Sequence, residues 1–401
     1  MTDIPFEPKR MTLRRTALLG ALLTAIGPIS LGIYTPAMPT LADAFMTTDS
    51  AIKVSLAVYF AGFSLSQLIA GPSADALGRR KASVIFLLIY LLGSLIAVFA
   101  PTIEALLVGR LLQGIGASIG VTVARAIVRD QFTGQDSASI LNLTGTLMAV
   151  GPAVAPTLGG LLLAAFGWQS IFVALFLMAA GSLGTILLLL VETTVPDLNK
   201  LVPSTVVRNY RTLLGDRSFL LTCIIMAGTT GALFAQASML SFILIHDVGL
   251  TPTQFGVTML MQSGAYFIGT ICCRYAMKRI TGETCATIGV ICSGIGGLLI
   301  VLSVAMLEPS ILSIMVPVAI STFGIAFVTP YILTASMLSF PHIAGSASAF
   351  IVFIQMGAGF LAGVLAALIG NPLLAFGIII PAMSASAVLA YIGFVPTTKR
   401  L

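Results

Sequence analysis

The sequence predicts an all-α membrane protein whose twelve transmembrane helices form two six-helix, pseudo-symmetric halves. Three observations carry that prediction: a scarcity of charge, apolar runs of bilayer-spanning length, and basic residues gathered on one side of those runs. Lys and Arg number 20 and Asp and Glu 14, together 8% of 401 residues, where a soluble domain carries roughly 25%. Apolar residues make up 58%, more than one compact core can hide from water, so much of that surface must face lipid. A soluble enzyme is excluded. Each helical crossing takes about 20 residues, so the chain holds about a dozen with short connections and no sizeable soluble domain.

The first six runs lie near 16–37, 51–71, 82–99, 104–128, 137–163 and 168–191. Lys9, Arg10, Arg14 and Arg15 precede the first, and no small-residue cleavage pattern follows a short apolar stretch, so it reads as an uncleaved helix. Six more runs lie near 219–245, 253–276, 284–306, 309–336, 343–369 and 372–395. Between the sets lies the one long polar connection, Glu192 to Arg217, with Pro196, Lys200, Pro203, Arg208 and Arg211. The chain therefore divides into a six-helix bundle at 1–191, a cytoplasmic linker at 192–217 and a second bundle at 218–401.

With the N-terminus in the cytoplasm, seventeen of the 20 basic residues fall on that side. Lys53 falls outside, and Arg110 and Arg125 lie within the fourth run. The excess sets both termini in the cytoplasm of a bacterial inner-membrane protein. Arg79, Arg80 and Lys81 after the second run are echoed by Arg274, Lys278 and Arg279 after the eighth. That echo suggests a duplication, the arrangement of transporters whose halves rock about a substrate near the bilayer midplane.

Three stretches carry chemistry. Gly71-Pro-Ser-Ala-Asp75-Ala-Leu-Gly78-Arg79-Arg80-Lys81 reads as a helix stop, a tight reversal and a cationic cluster. Its one anion, Asp75, can pair with arginine or sit at a helix N-terminus and latch one conformation; such charges also serve topology alone. In the fourth run, Arg110-Leu-Leu-Gln113-Gly114-Ile-Gly116 sets an arginine about two turns inside the outer end. A charge that deep costs several kcal/mol unless water or a partner reaches it, which points to a cavity. Arg125, one turn from Arg129, reads either as a snorkelling side chain or as a cavity residue. In the fifth run, Gly151-Pro152-Ala-Val-Ala155-Pro156-Thr-Leu-Gly159-Gly160 removes two amide donors and aligns small residues, giving a kinked, close-packing helix.

Together these stretches resemble the drug/proton antiporters of the major facilitator superfamily. Tyr34-Thr-Pro36-Ala-Met-Pro39, Tyr59-Phe-Ala-Gly62-Phe-Ser-Leu-Ser-Gln67, Ala124-Arg125-Ala-Ile-Val-Arg129-Asp130, Gly167-Trp168-Gln-Ser-Ile-Phe172 and Phe340-Pro341-His342-Ile-Ala-Gly345 are similar to its Bcr/CflA branch, which exports bicyclomycin and chloramphenicol-type drugs. The likeness is dense in the N-terminal half and thin in the C-terminal half. The resemblance implies the superfamily fold and multidrug efflux by proton antiport. It also implies a conformational latch at Gly71, Asp75, Gly78, Arg79, Arg80, Arg129 and Asp130, a proton relay through Arg110, and an antiporter helix marked by Gly151, Pro152, Pro156, Gly159 and Gly160.

One position departs from that pattern. The place two before the motif tyrosine, usually acidic in such proteins, is Gly32. Five acids, Asp43, Asp49, Glu104, Asp247 and Glu308, lie in outer loops and the other nine on the cytoplasmic side. No carboxylate is left in mid-membrane, where desolvation could raise its pKa toward neutrality. Arginine cannot titrate in that range. Arg110 without an acidic partner would leave the cavity positive, favouring neutral or anionic solutes over lipophilic cations. Proton coupling would then fall to a boundary acid such as Asp43, Asp75 or Asp130, or to a proton on the substrate.

Beyond Arg110, Gln113 and Arg125, the polar side chains at interior depth are Tyr34, Tyr59, Gln67, Asn142, Gln236, Gln262, Tyr266 and Gln355. Each could line a cavity or bond one helix to another. There is no phosphate-binding Gly-rich loop. His246 and His342 stand far apart at span ends, and Cys223, Cys272, Cys273, Cys285 and Cys292 lie in or near spans, where reduced thiols act as small apolar groups. No cofactor, metal or disulfide is implied. The expected partners are a small drug, protons and lipid, with no nucleic acid, and the chain is expected to be a monomer. The alternative is a metabolite exporter of the same architecture, or a transporter with non-proton or substrate-borne coupling. A membrane enzyme would need clustered catalytic side chains that the sequence lacks.

Overall fold

The computed structural model describes residues 11–132, 140 and 154–398. Every regular element among them is helical. The N-terminal half comprises α1 (Leu13–Tyr34), α2 (Asp49–Leu77), α3 (Arg79–Val98), α4 (Ile103–Gln131), α5 (Val154–Phe166) and α6 (Gln169–Leu189). The C-terminal half comprises α7 (Arg217–Ala237), α8 (Pro252–Ala276), α9 (Gly282–Met306), α10 (Ile311–Leu338), α11 (Ala344–Ile369) and α12 (Pro372–Thr398). Eleven of these are long and apolar enough to cross a bilayer, and α5 is described only from Val154. Large apolar side chains such as Leu65, Leu88, Leu188, Leu298, Leu368 and Leu389 remain exposed on the outer faces, as a lipid-facing surface requires. This is a multi-pass membrane protein.

Hydroxyl caps set most helix starts. Thr48, Thr102 and Thr281 accept from amides at the starts of α2, α4 and α9, and Thr251 and Ser310 make reciprocal capping boxes on α8 and α10. The start of α3 has no such neighbour in sequence. Its first two amides donate to Glu192, Arg79 N to Oε1 at 2.7 Å and Arg80 N to Oε2 at 3.2 Å. A carboxylate brought back from beyond α6 satisfies the helix N-terminus and its dipole.

The halves repeat each other's packing. α3 packs on α4 as α9 does on α10, α2 on α4 as α8 on α10, and α3 on α6 as α9 on α12. The α3–α4 crossing places Gly93 and Gly109 so that a Cβ on either would lie within 2.8 Å of the other's carbonyl oxygen, and at the α9–α10 crossing Gly289 and Gly324 do the same within 2.5 Å. Only glycine permits backbones to approach that closely. Between halves the main pairing among the described elements is α2 with α11.

Two expectations change. The segment read as a helix stop at Gly71 is helical through Pro72 to Leu77, and the chain reverses only at Gly78, with φ 90°. A membrane helix tolerates an internal proline because its neighbours and local adjustments re-satisfy the freed groups. The linker also carries a helix, Pro203–Leu214. Its Tyr210 hydroxyl donates to Leu68 O of α2 at 2.7 Å and its ring lies 5.7 Å from that of Phe350 on α11, so it touches both halves. Burial there pushes the Tyr210 hydroxyl pKa up to about 12.

Candidate functional site

The two ends of the bundle differ. At the end carrying Asp49 and Lys53, the halves are stitched together. Ser50 Oγ donates to Ala367 O at 2.8 Å, Lys53 Nζ to Gly370 O at 2.9 Å, and Thr157 Oγ1 to Gly256 O at 3.0 Å. His246 Nδ1 lies 3.5 Å from Asp49 Oδ2. Lys53 is fully buried, its ammonium 5.2 Å from the Phe242 ring centre. The neighbouring Asp247 carboxyl is pushed above its ordinary range by burial and by Asp49, against the pull of His246 and Lys53.

At the opposite, arginine-rich end a cavity of about 940 Å³ separates the halves. Gln67, Gly71, Asp75 and Arg79 line it from one side with Thr122, Arg125 and Arg129 of α4. Met337, His342, Ser346 and Ser348 line it from the other, and Thr205 and Asn209 of the linker helix also border it. Arg125 is exposed to this space and reaches across it, Nη1 donating to Ser348 Oγ of α11 at 2.9 Å. Gln67 is buried, its Nε2 donates to Thr122 Oγ1 at 2.8 Å, and its carbonyl oxygen has no partner among the described residues.

The residues of the proposed latch meet, but within one half. Arg79 Nη1 pairs with Asp75 and its Nε with Asp130 Oδ2 at 3.1 Å. Thr193 Oγ1 donates to the same Asp130 oxygen at 2.9 Å. Together with Glu192 this ties α2, α3, α4 and the segment after α6 into one rigid corner, which Gly78 permits by its positive φ. Arg80 donates to Leu187 O at 2.6 Å. Among the described residues no hydrogen bond or ion pair of the Asp75, Arg79, Arg80 or Asp130 side chains reaches the C-terminal half, where the cavity parts the two.

Arg110 was expected to face a cavity, and the structure places it elsewhere. It is fully buried among α1 to α4, its guanidinium 4.2 Å from the Tyr34 ring centre and 4.4 Å from that of Tyr59. Nη1 donates to Gln113 Oε1 at 2.8 Å, and Gln113 Nε2 passes the chain on to Ser94 Oγ at 2.9 Å. Nε and Nη2 have no hydrogen-bond acceptor among the described residues. Two aromatic faces stand in for acceptors, a contact worth about 2 kcal/mol when desolvated. The rings are themselves anchored, Tyr34 to Ser55 at 2.5 Å and Tyr59 to Gly27 O at 3.3 Å. Tyr34, Tyr59, Arg110 and Gln113 thus form a closed core cluster outside the cavity lining.

The missing acid has a steric reason. A Cβ on Gly32 would lie 2.7 Å from Ala155 Cβ and 3.2 Å from Pro156 Cδ, so α5 occupies the space a carboxylate would need. Gly159 also faces α1, a Cβ there meeting Ile33 O at 2.3 Å, whereas Gly160 faces the other half, meeting Pro252 O at 2.5 Å. The small residues of this motif therefore serve one contact within a half and one between halves. Gly151, Pro152 and Asn142 lie outside the described residues.

In the C-terminal half, Gln262 Nε2 donates to Gln236 Oε1 at 2.6 Å. That pair, half-buried Tyr266 and buried Gln355 do not line the cavity. Between the cavity and the stitched end the halves are in contact, with Phe60 of α2 5.9 Å from Phe234 of α7, Gly363 against Ala57, and Ser64 Oγ donating to Phe353 O at 3.0 Å. Ser348, Thr122, Asn209 and Glu192 are the polar groups that sequence reasoning missed.

Two bundles of crossing helices, joined at one end and parted by a cavity at the other, have the architecture of a membrane transporter. The chain belongs to the Major Facilitator Superfamily, whose family model matches residues 20–363. It is 30% identical to an uncharacterised MFS-type transporter, YdgK, of Bacillus subtilis (strain 168), covering 100% of this chain and 98% of the relative. It is 27% identical to multidrug resistance protein D of Escherichia coli (strain K12), over 88% of each chain. A chloramphenicol resistance protein of Pseudomonas aeruginosa is 26% identical, over 90% of this chain and 84% of the relative. The fold is shared with a D-xylose-proton symporter at a TM-score of 0.76 and 12% identity, covering 96% and 97% of the two chains.

Proposed function

We propose that this chain is a drug exporter of the bacterial inner membrane that works by alternating access. Its arginine-rich end and both termini face the cytoplasm, following the excess of basic residues there. The conformation described is then open to the inside and closed to the outside. The observation that carries this reading is the cavity of about 940 Å³ at the arginine-rich end, set against a stitched opposite end. That volume lies at the upper end of drug-sized sites, roughly 300–1,000 Å³. The names of two relatives, a multidrug and a chloramphenicol resistance protein, support small drugs of the chloramphenicol kind as substrates; the sequence resemblance adds bicyclomycin-like drugs, and the lack of a buried acid favours neutral or anionic ones.

Export is coupled to protons entering the cell. The acids available for that lie at the ends of the bundle, at Asp43, Asp75 and Asp130, or the substrate carries the proton itself. The latch residues Asp75, Arg79 and Asp130 fix the corner that docks on the other half once the cavity closes. The functional unit is a monomer in lipid. The test is chloramphenicol transport in proteoliposomes under an imposed pH gradient, beside a lipophilic cation. Export of the phenicol driven by the gradient supports the reading; transport of neither compound, or of the cation alone, overturns it.

A further inference from the structure

The cavity's charges are unequal. Of its three arginines, Arg79 is satisfied by Asp75 and Asp130, whereas Arg125 and Arg129 have no carboxylate partner among the described residues. Arg125 is the better placed. Among the described residues its one hydrogen bond is to a neutral hydroxyl on the opposite half, and no anion lies near enough to offset its charge. One turn earlier on α4, Thr122 holds the amide nitrogen of Gln67 and leaves the Gln67 carbonyl oxygen buried without a donor. Thr122 and Arg125 lie three residues apart, about 4.5 Å along the axis of α4, and both line the same cavity as Gln67. Around them stand Val121, Ala124, Leu333, Met337, Ile343 and Ala349, an apolar wall. A free guanidinium, an unmet acceptor and an apolar wall are complementary to one chemistry.

We propose that this cavity is a binding site for amphiphilic organic anions, in which Arg125 takes a carboxylate or similar acid group and Gln67 accepts from an N–H or O–H on the same molecule. Guanidinium groups favour carboxylates through paired, charge-assisted hydrogen bonds. The bound acid replaces, or joins, Ser348 as the acceptor of Arg125, so the ligand sits on a contact that crosses from α4 to α11. A bound anion would thereby sense the separation of the halves, as a transported substrate must. This deepens the export reading and rests on it for the direction of movement.

The test uses the full-length protein in lipid nanodiscs and three fluorescent probes: dansylglycine, its methyl ester, and dansylsarcosine. The ester lacks the anionic charge and dansylsarcosine lacks the sulfonamide N–H. Dansylglycine is expected to bind about tenfold more tightly than the ester and several-fold more tightly than dansylsarcosine. Arg125→Gln should erase the preference over the ester while leaving ester binding intact, which also reports that the variant is folded; Arg125→Lys should retain part of it. Gln67→Leu should erase the preference over dansylsarcosine. Equal binding of acid and ester by the parent protein, or an unchanged preference in Arg125→Gln, overturns the proposal. Chloramphenicol export is scored separately: a protein that exports it yet binds acid and ester alike keeps the export reading and loses this one.

Discussion

At the stitched end the halves meet through side chains that donate to backbone carbonyls, Ser50 to Ala367, Lys53 to Gly370 and Thr157 to Gly256. At the arginine-rich end the strong bonds run inside one half, from Arg79 to Asp75 and Asp130, while Arg125 donates to Ser348 across the cavity and, deeper in, Ser64 Oγ donates to Phe353 O at 3.0 Å. The difference teaches where each kind of interaction is useful. Ion pairs hold a rigid body rigid. On the proposed alternating-access reading, the contacts made and broken each cycle are hydroxyl and ammonium bonds and the half-exposed Asp49–His246 pair, each worth about 3 kcal/mol or less, so opening needs only a small redistribution of free energy.

That contrast can be broken by forcing the stitched end apart. A side chain at Gly256 would start 2.6 Å from Pro156 O and 2.7 Å from Thr157 Cα, both backbone, so α5 and α8 would have to separate. Gly256→Leu is expected to cost the closed form about 1–3 kcal/mol or more. Spin labels at M46C and L368C, exposed positions near that end, in a background with Cys272→Ser and Cys292→Ser, should report a longer distance in most molecules. A distance unchanged from the parent would mean this packing does not hold the end shut.

Lys53→Ala comes next. It removes the donor to Gly370 and leaves Asp49 and Asp247 facing each other with His246 as the remaining cation of the cluster. Losing a charged hydrogen bond costs about 1.5–3 kcal/mol, and the same label pair should show a mixture of short and long distances. Arg79→Gln sharpens the comparison from the other side. It should lower thermal stability by a similar amount because two carboxylates lose their partner, yet leave the M46C–L368C distance as it was. A change in that distance would show the corner acting on the far end.

The smallest effect is that of pH. In the closed form Asp247 has a pKa above the ordinary carboxylate value near 3.9, chiefly through burial. Once the end opens, water returns it to that value, so the closed form holds the proton more tightly. Closure is therefore favoured as pH falls toward the ordinary value and loses this contribution as pH rises through the raised one. Asp247→Asn should flatten the acid limb of the distance population; an unaltered limb would show that Asp247 does not carry it.

Much of the architecture was legible in the sequence because the bilayer imposes it. Apolar length marked the crossings, and Arg79 with Arg274 marked the repeat. The failures are of two physical kinds. Pro72 reads as a helix breaker by its own chemistry, but neighbouring helices keep α2 intact to Leu77. Glu192 capping α3, and Arg125 meeting Ser348, join residues 113 and 223 apart in sequence, and no local pattern encodes such a pairing. Arg110 shows the same limit: its depth was readable, but whether it faced water or two tyrosine rings depended on how α1 and α2 lean against α4. Gln67 and Arg125, two of the polar candidates, do line the cavity, whereas Gln113, Gln236, Gln262 and Gln355 bond or pack elsewhere.

The tight fit of Gly32 against Ala155 and Pro156 bears on how this chain could ever change its energy source. Installing an aspartate at 32 to create a membrane-embedded proton carrier would first wedge the two helices that this glycine lets touch. The carboxylate and its accommodation, a smaller or retracted residue near 156, would have to arrive together, because the aspartate alone would disturb the α1–α5 contact.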